Sequence, residues 1–169
     1  AYPREETMFS IGDTIVYKGH GLVKVVGVPR QGSADGAGPE TYFVLHSART
    51  PLAATKLMVR AQGAERVLRF PVSPDEARRM LEIASEESAE LPEDHKERMR
   101  IIDAVVSRND SNELAALVRD YRESKLLTLE RDEVKRIKAV ARNLAEEICH
   151  VLKTSRPALH GKFTVRSVV

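Results

Sequence analysis

The alternation of hydrophobic and polar positions changes character near residue 72. Before that point, short runs of β-branched and aromatic residues are separated by glycine-containing breaks, which is the pattern of β-strands. Beyond it, apolar residues recur at the i, i+3, i+4, i+7 spacing of amphipathic helices. We therefore predict an α+β protein, in which a small antiparallel β-barrel precedes a compact domain of about four helices.

Five short strands are predicted in the front part, at about residues 11–17, 22–28, 41–46, 56–60 and 66–70. No helix separates them, so the sheet should be antiparallel, and their close spacing favours a small barrel. The segment 31–40 contains three glycines and a proline, which predicts a long surface connection without regular structure. It lacks the lysine and hydroxyl of a phosphate-binding loop, so nucleotide binding is not expected.

Capping residues mark the starts of the helices in the back part. Ser73, Pro74 and Glu76 form a capping box with proline at the first helical position, and the first helix should stop at Leu91-Pro92. The second should run from about residue 93 to 107, the third should begin after the capping pair of Asp110 and Glu113, and the fourth should run from about 128 to before Pro157. The remaining residues, 156–169, are predicted to form a weak strand or to be disordered.

These patterns divide the chain into four parts. Residues 8–72 form the β-domain, 73–155 the helical domain and 156–169 a C-terminal tail. We expect residues 1–7 to be an N-terminal extension or a cloning remnant.

Composition narrows the function classes. The chain has 42% apolar and 31% charged residues, with no run of about 18 apolar residues, so we expect a cytoplasmic protein without a membrane span. Its single cysteine, Cys149, falls in an apolar helical pattern and should serve packing. The five histidines lack chelating spacing, and no hydrolase motif is present. We expect no metal, no cofactor and no enzymatic activity.

Charge is distributed unevenly. Between Met8 and Val72 there are eight basic and four acidic residues, whereas residues 73–155 carry fifteen basic and nineteen acidic ones. That acidic part contains two basic clusters, and each is either a solvated face or a contact for DNA phosphates. They are Lys96, Arg98 and Arg100 at the start of the second helix, and Arg131, Lys135, Lys138 and Arg142 along the fourth.

The opening segment carries a resemblance to a known family. Residues 8–21, MFSIGDTIVYKGHG, resemble the start of CarD-like bacterial transcription regulators, roughly F-x-x-G-D-x-V-V-Y-P-x-x-G. Residues 112–121, NELAALVRDY, and 144–148, LAEEI, resemble two helical segments of the same family. The resemblance covers about residues 8–152.

This resemblance implies a function. The N-terminal domain would be a Tudor-like RNA polymerase-interacting domain that binds the polymerase β subunit, with Lys24, Lys56 and Arg60 as the nearest candidates for that contact. The C-terminal helices would contact promoter DNA through its backbone or minor groove, without sequence specificity, and so modulate the stability of the open complex. A monomer associated with the nucleoid through the polymerase is expected.

Two departures from the family pattern bear on that function. Lys18 replaces the usual proline after the tyrosine, and the chain contains no tryptophan, whereas the family places one near the start of the second helix as a wedge in the minor groove. His95 occupies the corresponding position, so His95 joins the two basic clusters as a candidate DNA contact. The alternative function is a protein-only adaptor that binds polymerase and another regulatory protein without touching DNA.

Overall fold

The computed structural model describes residues 7–32, 35–49, 56–126 and 128–165, and the chain divides into two compact units. The first extends to Pro71 and the second begins at Val72. An antiparallel sheet of six strands forms in the first unit and four α-helices form in the second. The prediction of an α+β protein is confirmed at this level. None of the described helices is both long and apolar enough to span a bilayer.

All strand pairs in the first unit are antiparallel. The order along the sheet is β3-β4-β2-β1-β6, with β5 pairing to β4. The strands are β1 (Thr14–Tyr17), β2 (Gly21–Gly27), β3 (Arg30–Gly32), β4 (Pro39–Ser47), β5 (Leu57–Arg60) and β6 (Leu68–Arg69).

Two features of the sheet differ from the sequence prediction. Segment 31–40 was expected to lack regular structure, but β3 pairs with the start of β4, so that Arg30 faces Thr41 and Gln31 faces Glu40. The glycines Gly36 and Gly38, both with positive φ, lie in the turn between these strands, which leaves the flanking residues free to pair. In addition, no pairing among the described residues joins β5 to β6, so the sheet is open and does not form a closed barrel.

One face of the sheet carries the core of the first unit. Phe9, Ile15, Phe43 and Leu45 are fully or almost fully buried, and the Phe9 ring packs edge-on against Phe43 with 5.5 Å between ring centroids. Because side chains alternate along a strand, the neighbours of these residues point to the opposite face.

The second unit contains four α-helices and a short 3-10 helix. They are α1 (Pro74–Ile83), α2 (His95–Arg108), α3 (Ser111–Arg122), α4 (Arg131–Leu152) and the 3-10 helix Arg156–Leu159. The predicted capping box of α1 is present, since Ser73 Oγ accepts from Glu76 N and Glu76 Oε2 accepts from Ser73 N. The apolar faces of the four helices meet in one core that contains Ile102, Val118 and Ile137.

Helix α1 ends at Ile83, earlier than the predicted stop at Leu91. Arg119 Nη1 donates to the Ile83 carbonyl and Arg122 Nη2 donates to the Ala84 carbonyl, at 3.3 and 2.7 Å. These guanidinium groups from α3 therefore satisfy carbonyl oxygens that a longer helix would have bonded internally.

The C-terminal segment also differs from its prediction. Residues 156–169 were expected to form a weak strand or to be disordered, but the 3-10 helix is followed by turns, and Leu159, Phe163 and Val165 are buried in the core of the second unit. Burial of these apolar side chains makes residues 156–165 part of the helical unit. Residues 1–6 of the predicted N-terminal extension and residues 166–169 of the predicted tail lie outside the described residues.

Candidate nucleic-acid and protein interfaces

A groove runs along α4 and contains all four residues of the predicted basic stripe. Its volume is about 810 Å³. Arg131, Lys135, Lys138 and Arg142 line it, together with an apolar floor of Leu129, Val134 and Ala139. We call this the α4 groove. No acidic side chain belongs to the described residues that line it.

Helical spacing explains the shape of the α4 groove. The four cations are separated by four, three and four residues, so they follow one line along the helix for about 16 Å at roughly 1.5 Å per residue. Arg131, Lys135 and Arg142 are exposed, and none of these three side chains has a hydrogen bond or ion pair with another described residue. Lys138 is half-buried and does interact with other groups. The α4 groove therefore offers at least three available positive charges.

The predicted cluster at the start of α2 is divided between the surface and the interior. Lys96 and Arg100 are exposed, as a contact with DNA would require. Arg98 is only 2% exposed, and its guanidinium lies against Glu133 in α4. The prediction that Arg98 contacts DNA is therefore corrected, because a buried guanidinium committed to a carboxylate cannot also reach a phosphate.

Arg98 and Glu133 form a buried bidentate ion pair. Arg98 Nε donates to Glu133 Oε2 at 3.0 Å, and Arg98 Nη2 donates to Glu133 Oε1 at 2.8 Å. Tyr121 OH donates to Glu133 Oε2 at 3.0 Å, and Glu130 N donates to Glu133 Oε1 at 2.7 Å. Arg98 Nη1 also donates to the carbonyl of Pro92 at 3.0 Å. This network joins α2, α3 and α4 through polar groups that are hydrogen-bonded to one another.

The network changes the acidity of its members. Desolvation alone would raise the pKa of Glu133, but hydrogen bonds from Arg98, the Glu130 amide and Tyr121 outweigh it and hold that pKa below its ordinary value. Burial, followed by the neighbouring Glu133 carboxylate, raises the pKa of the Tyr121 phenol. Glu133 is therefore ionised and Tyr121 neutral at physiological pH.

His95 is the first residue of α2 and lies beside this network. Its side chain is 35% exposed, with Nδ1 3.6 Å from Glu133 Oε1 and Nε2 4.0 Å from Asp132 Oδ1. The Nδ1 atom is shielded from solvent and makes no hydrogen bond. The ring nitrogens are thus directed toward the carboxylates of α4.

The three candidates for polymerase contact lie on the face of the sheet opposite the core. Lys24 on β2, Lys56 just before β5 and Arg60 at the end of β5 are all exposed. Lys24 and Lys56 have no partner among the described residues, whereas Arg60 Nε lies 3.3 Å from Glu40 Oε2. The Glu40 charge, together with a hydrogen bond that the Arg60 guanidinium donates to Tyr42, raises the pKa of Arg60.

Exposed apolar side chains lie between these cations. Val26 is 39% and Met58 47% exposed, and Val44 pairs across the strands with Met58. We call the surface of Lys24, Val26, Val44, Lys56, Met58 and Arg60 the outer sheet face. Apolar surface rimmed by charge is typical of protein-binding surfaces.

Comparison with known proteins found no family model that matches the sequence and no curated protein that matches it significantly.

Within the described residues, no group of three or more His, Cys, Asp or Glu side chains could hold a metal ion. Cys149 is partly buried against the helical core, and desolvation raises the pKa of its thiol.

The residues that sequence reasoning missed are Glu133 and Tyr121. A signal for Glu133 was present, because it lies four residues before Ile137 and eight before Ala141, both on the buried seam of α4. A carboxylate at a core position indicates a buried partner, and the arginine that supplies it is 35 residues away in the sequence.

Proposed function

We propose that this protein is a transcription regulator that binds the β subunit of RNA polymerase through its first unit and modulates the stability of promoter open complexes through contacts of its helical unit with DNA. The observation that carries the proposal is the α4 groove. A line of cations in a groove with no acidic side chain among its described lining residues attracts a phosphate backbone and carries no information about base sequence.

The first unit supports the polymerase half of the proposal. The motif at residues 8–21 resembles the CarD-like opening, and it forms β1 and the turn into β2. We infer that the unit is a Tudor-like domain whose open, bent sheet presents the outer sheet face to the polymerase. Lys24 and Lys56 would meet acidic residues of the β subunit, and Met58 would be buried in the contact.

One observation favours a second function, the protein-only adaptor. Residues 73–155 carry more acidic than basic side chains, so charge outside the α4 groove repels DNA. An adaptor would use the helical unit to bind another regulatory protein while the first unit holds the polymerase.

Neutralising the α4 groove distinguishes the two functions. The variant Lys135→Gln with Arg142→Gln should still co-purify with core polymerase but should reduce the effect of the protein on open-complex lifetime several-fold, because two phosphate contacts are lost. The matched control is Arg136→Gln with Lys153→Gln, which removes the same charge from α4 and its C-cap residue, both outside the groove.

Three outcomes decide between the functions. Loss of the lifetime effect in the groove variant and its retention in the control supports the DNA function. An unchanged lifetime effect with intact polymerase binding favours the adaptor. Failure of the wild-type chain to bind the β subunit, or binding that survives Lys24→Glu with Lys56→Glu, contradicts the proposed polymerase contact.

A further inference from the structure

Among its described residues, the helical unit exposes no large hydrophobic side chain that could insert into DNA. The exposed large hydrophobic residues among the described ones are Met8, Ile11, Val26, Met58 and Phe70, and every one of them lies in the first unit. The only phenylalanine, tyrosine or tryptophan residues after Pro71 are Tyr121 and Phe163, which are 3% and 2% exposed. Proteins that kink DNA or bind unpaired bases use exposed apolar or aromatic side chains for that purpose.

His95 does not replace such a side chain. Its Nδ1 atom faces Glu133 at 3.6 Å, and Nε2 lies 4.0 Å from Asp132. With both ring nitrogens directed at carboxylates, the half-buried imidazole is a polar group turned toward α4 and not a projecting apolar side chain. The carboxylates beside it also repel phosphates, which counteracts an approach of DNA to this ring.

The α4 groove has the opposite properties. Its floor of Leu129, Val134 and Ala139 lies between the cations and does not project from the surface, since Leu129 and Ala139 are half-buried and Val134 is buried. One DNA strand presents a phosphate about every 3.4 Å along the duplex axis, so the line of about 16 Å reaches several phosphates.

We infer that the α4 groove binds the sugar–phosphate backbone of intact duplex DNA, with no side chain of the helical unit inserted between base pairs. This inference rests on the proposed function and specifies which form of DNA the helical unit binds. The unit then contributes to open-complex stability as an electrostatic tether on the upstream duplex, and not as a wedge at the junction of paired and unpaired DNA.

The test titrates the 169-residue chain against three DNA probes. Fluorescence anisotropy is measured with a labelled duplex, a forked duplex of the same length and a single strand, from low to physiological salt. We expect duplex and fork to bind within about twofold of each other, with log K falling against log salt at a slope of about −3 to −4 for three to four phosphate contacts. A duplex containing 2-aminopurine should keep its low fluorescence on binding, because its bases stay stacked.

Variants show which cations are responsible for the salt dependence of DNA binding, measured as the slope of log K against log salt. Lys135→Gln and Arg142→Gln should each reduce the magnitude of the slope by about 0.9 on the duplex and by about 0.7 on the single strand. Arg136→Gln, which removes an α4 cation paired with Asp103 outside the groove, should leave the slope unchanged. These cations are surface residues, so circular dichroism should show folded protein in each case.

The outcomes separate this inference from the proposed function. A preference of about tenfold or more for the fork or the single strand, or a rise in 2-aminopurine fluorescence, overturns the inference while DNA binding itself remains. Equal salt slopes in the groove variants and the wild type overturn the assignment to α4. Absence of binding to all three probes at the lowest salt contradicts the DNA part of the proposed function as well.

Discussion

Arg98 and Arg100 show how two neighbouring residues of one type acquire different roles. Both belong to the cluster that sequence reasoning assigned to DNA, but Arg100 is exposed and Arg98 is buried against Glu133. A buried guanidinium requires a carboxylate partner, and that partner is supplied by another helix. Helical spacing carried a signal for this division, because Arg98 lies four residues before Ile102 and seven before Val105, both buried, whereas its carboxylate partner on α4 had no local signature.

Removing the charge of Glu133 tests the buried network. We expect Glu133→Gln to lower the free energy of unfolding at pH 7 by about 3 kcal/mol, because the Arg98 charge stays buried without its counter-ion. Urea titration followed by circular dichroism measures the loss. The control Glu90→Gln, at an exposed position, should change the free energy by less than about 0.5 kcal/mol. An equally small effect of both variants would contradict the structural role of the pair.

The lowered pKa of Glu133 predicts a pH dependence of stability. Its carboxylate is favoured in the folded state, so its contribution is fully present above the unfolded pKa of about 4.3 and is lost as pH falls through the lower folded value. The difference in unfolding free energy between wild type and Glu133→Gln should therefore shrink when pH is lowered from 7 toward 3. Urea titrations at several pH values measure it, and a constant difference would show that the carboxylate charge is not what stabilises the fold.

At the scale of elements, local signals predicted the starts of helices better than their ends. Asp110 Oδ1 accepts from Glu113 N at the start of α3, and the Ser73 box starts α1, because these caps involve residues only three apart. The end of α1 depends on arginines from α3. These hydrogen bonds join residues that are 36 and 38 positions apart, so the local sequence pattern gives no sign of them.

The C-terminal segment illustrates the same limit. Its apolar residues Leu159, Phe163 and Val165 are too few and too irregularly spaced to predict an element, and they become ordered by filling space beside α4. Periodicity detects residues that repeat along a helix or strand. It does not detect side chains that enter a core one by one from a turn.

Truncating Phe163 tests whether this segment stabilises the helical unit. We expect Phe163→Ala to lower the free energy of unfolding by about 3–5 kcal/mol, because a ring that is 2% exposed leaves a cavity. The control is the neighbouring exposed residue Thr164, and Thr164→Ala should lower the free energy of unfolding by less than about 0.5 kcal/mol. Comparable denaturation midpoints for Phe163→Ala and the wild type would show that the segment is not part of the core.

At the scale of the whole molecule, the two units have separate hydrophobic cores. The core around Phe43 and the core around Ile137 share no residue. The composition shift near residue 72 indicated this division, since strand-like and helical patterns meet there. What it could not indicate was the openness of the sheet, which depends on which strands pair across the fold.

Because the cores are separate, we expect a cavity in one unit to destabilise that unit and to leave the other unchanged. We expect Phe43→Ala to speed amide hydrogen exchange in the strands of the first unit while the protected amides of α2, α3 and α4 keep their rates, because the lost contacts all lie in the core of the sheet. Ile137→Ala serves as the reciprocal variant and should affect the helices. Faster exchange throughout the chain in both variants would show one cooperative structure.

The same division applies to the candidate interfaces. In the part of the chain that the structure describes, the exposed large hydrophobic residues all lie in the first unit, and the line of available cations lies in the second. Spacing along the sequence predicted the basic stripe, because all its members lie on one helix. The outer sheet face required three strands to come together, so it followed only from the pairing of β2, β4 and β5.

The buried pair of Arg98 and Glu133 also constrains how this sequence can diverge. Losing either residue alone leaves an uncompensated charge in the interior, whereas replacing both with apolar residues of similar volume can preserve or increase stability. Tyr121 would then lose its acceptor, so a phenylalanine at that position becomes the favoured companion change. In related chains, positions 98, 121 and 133 should consequently vary as a group. A sequence that keeps only one of the three residues is expected to be less stable and therefore to be selected against.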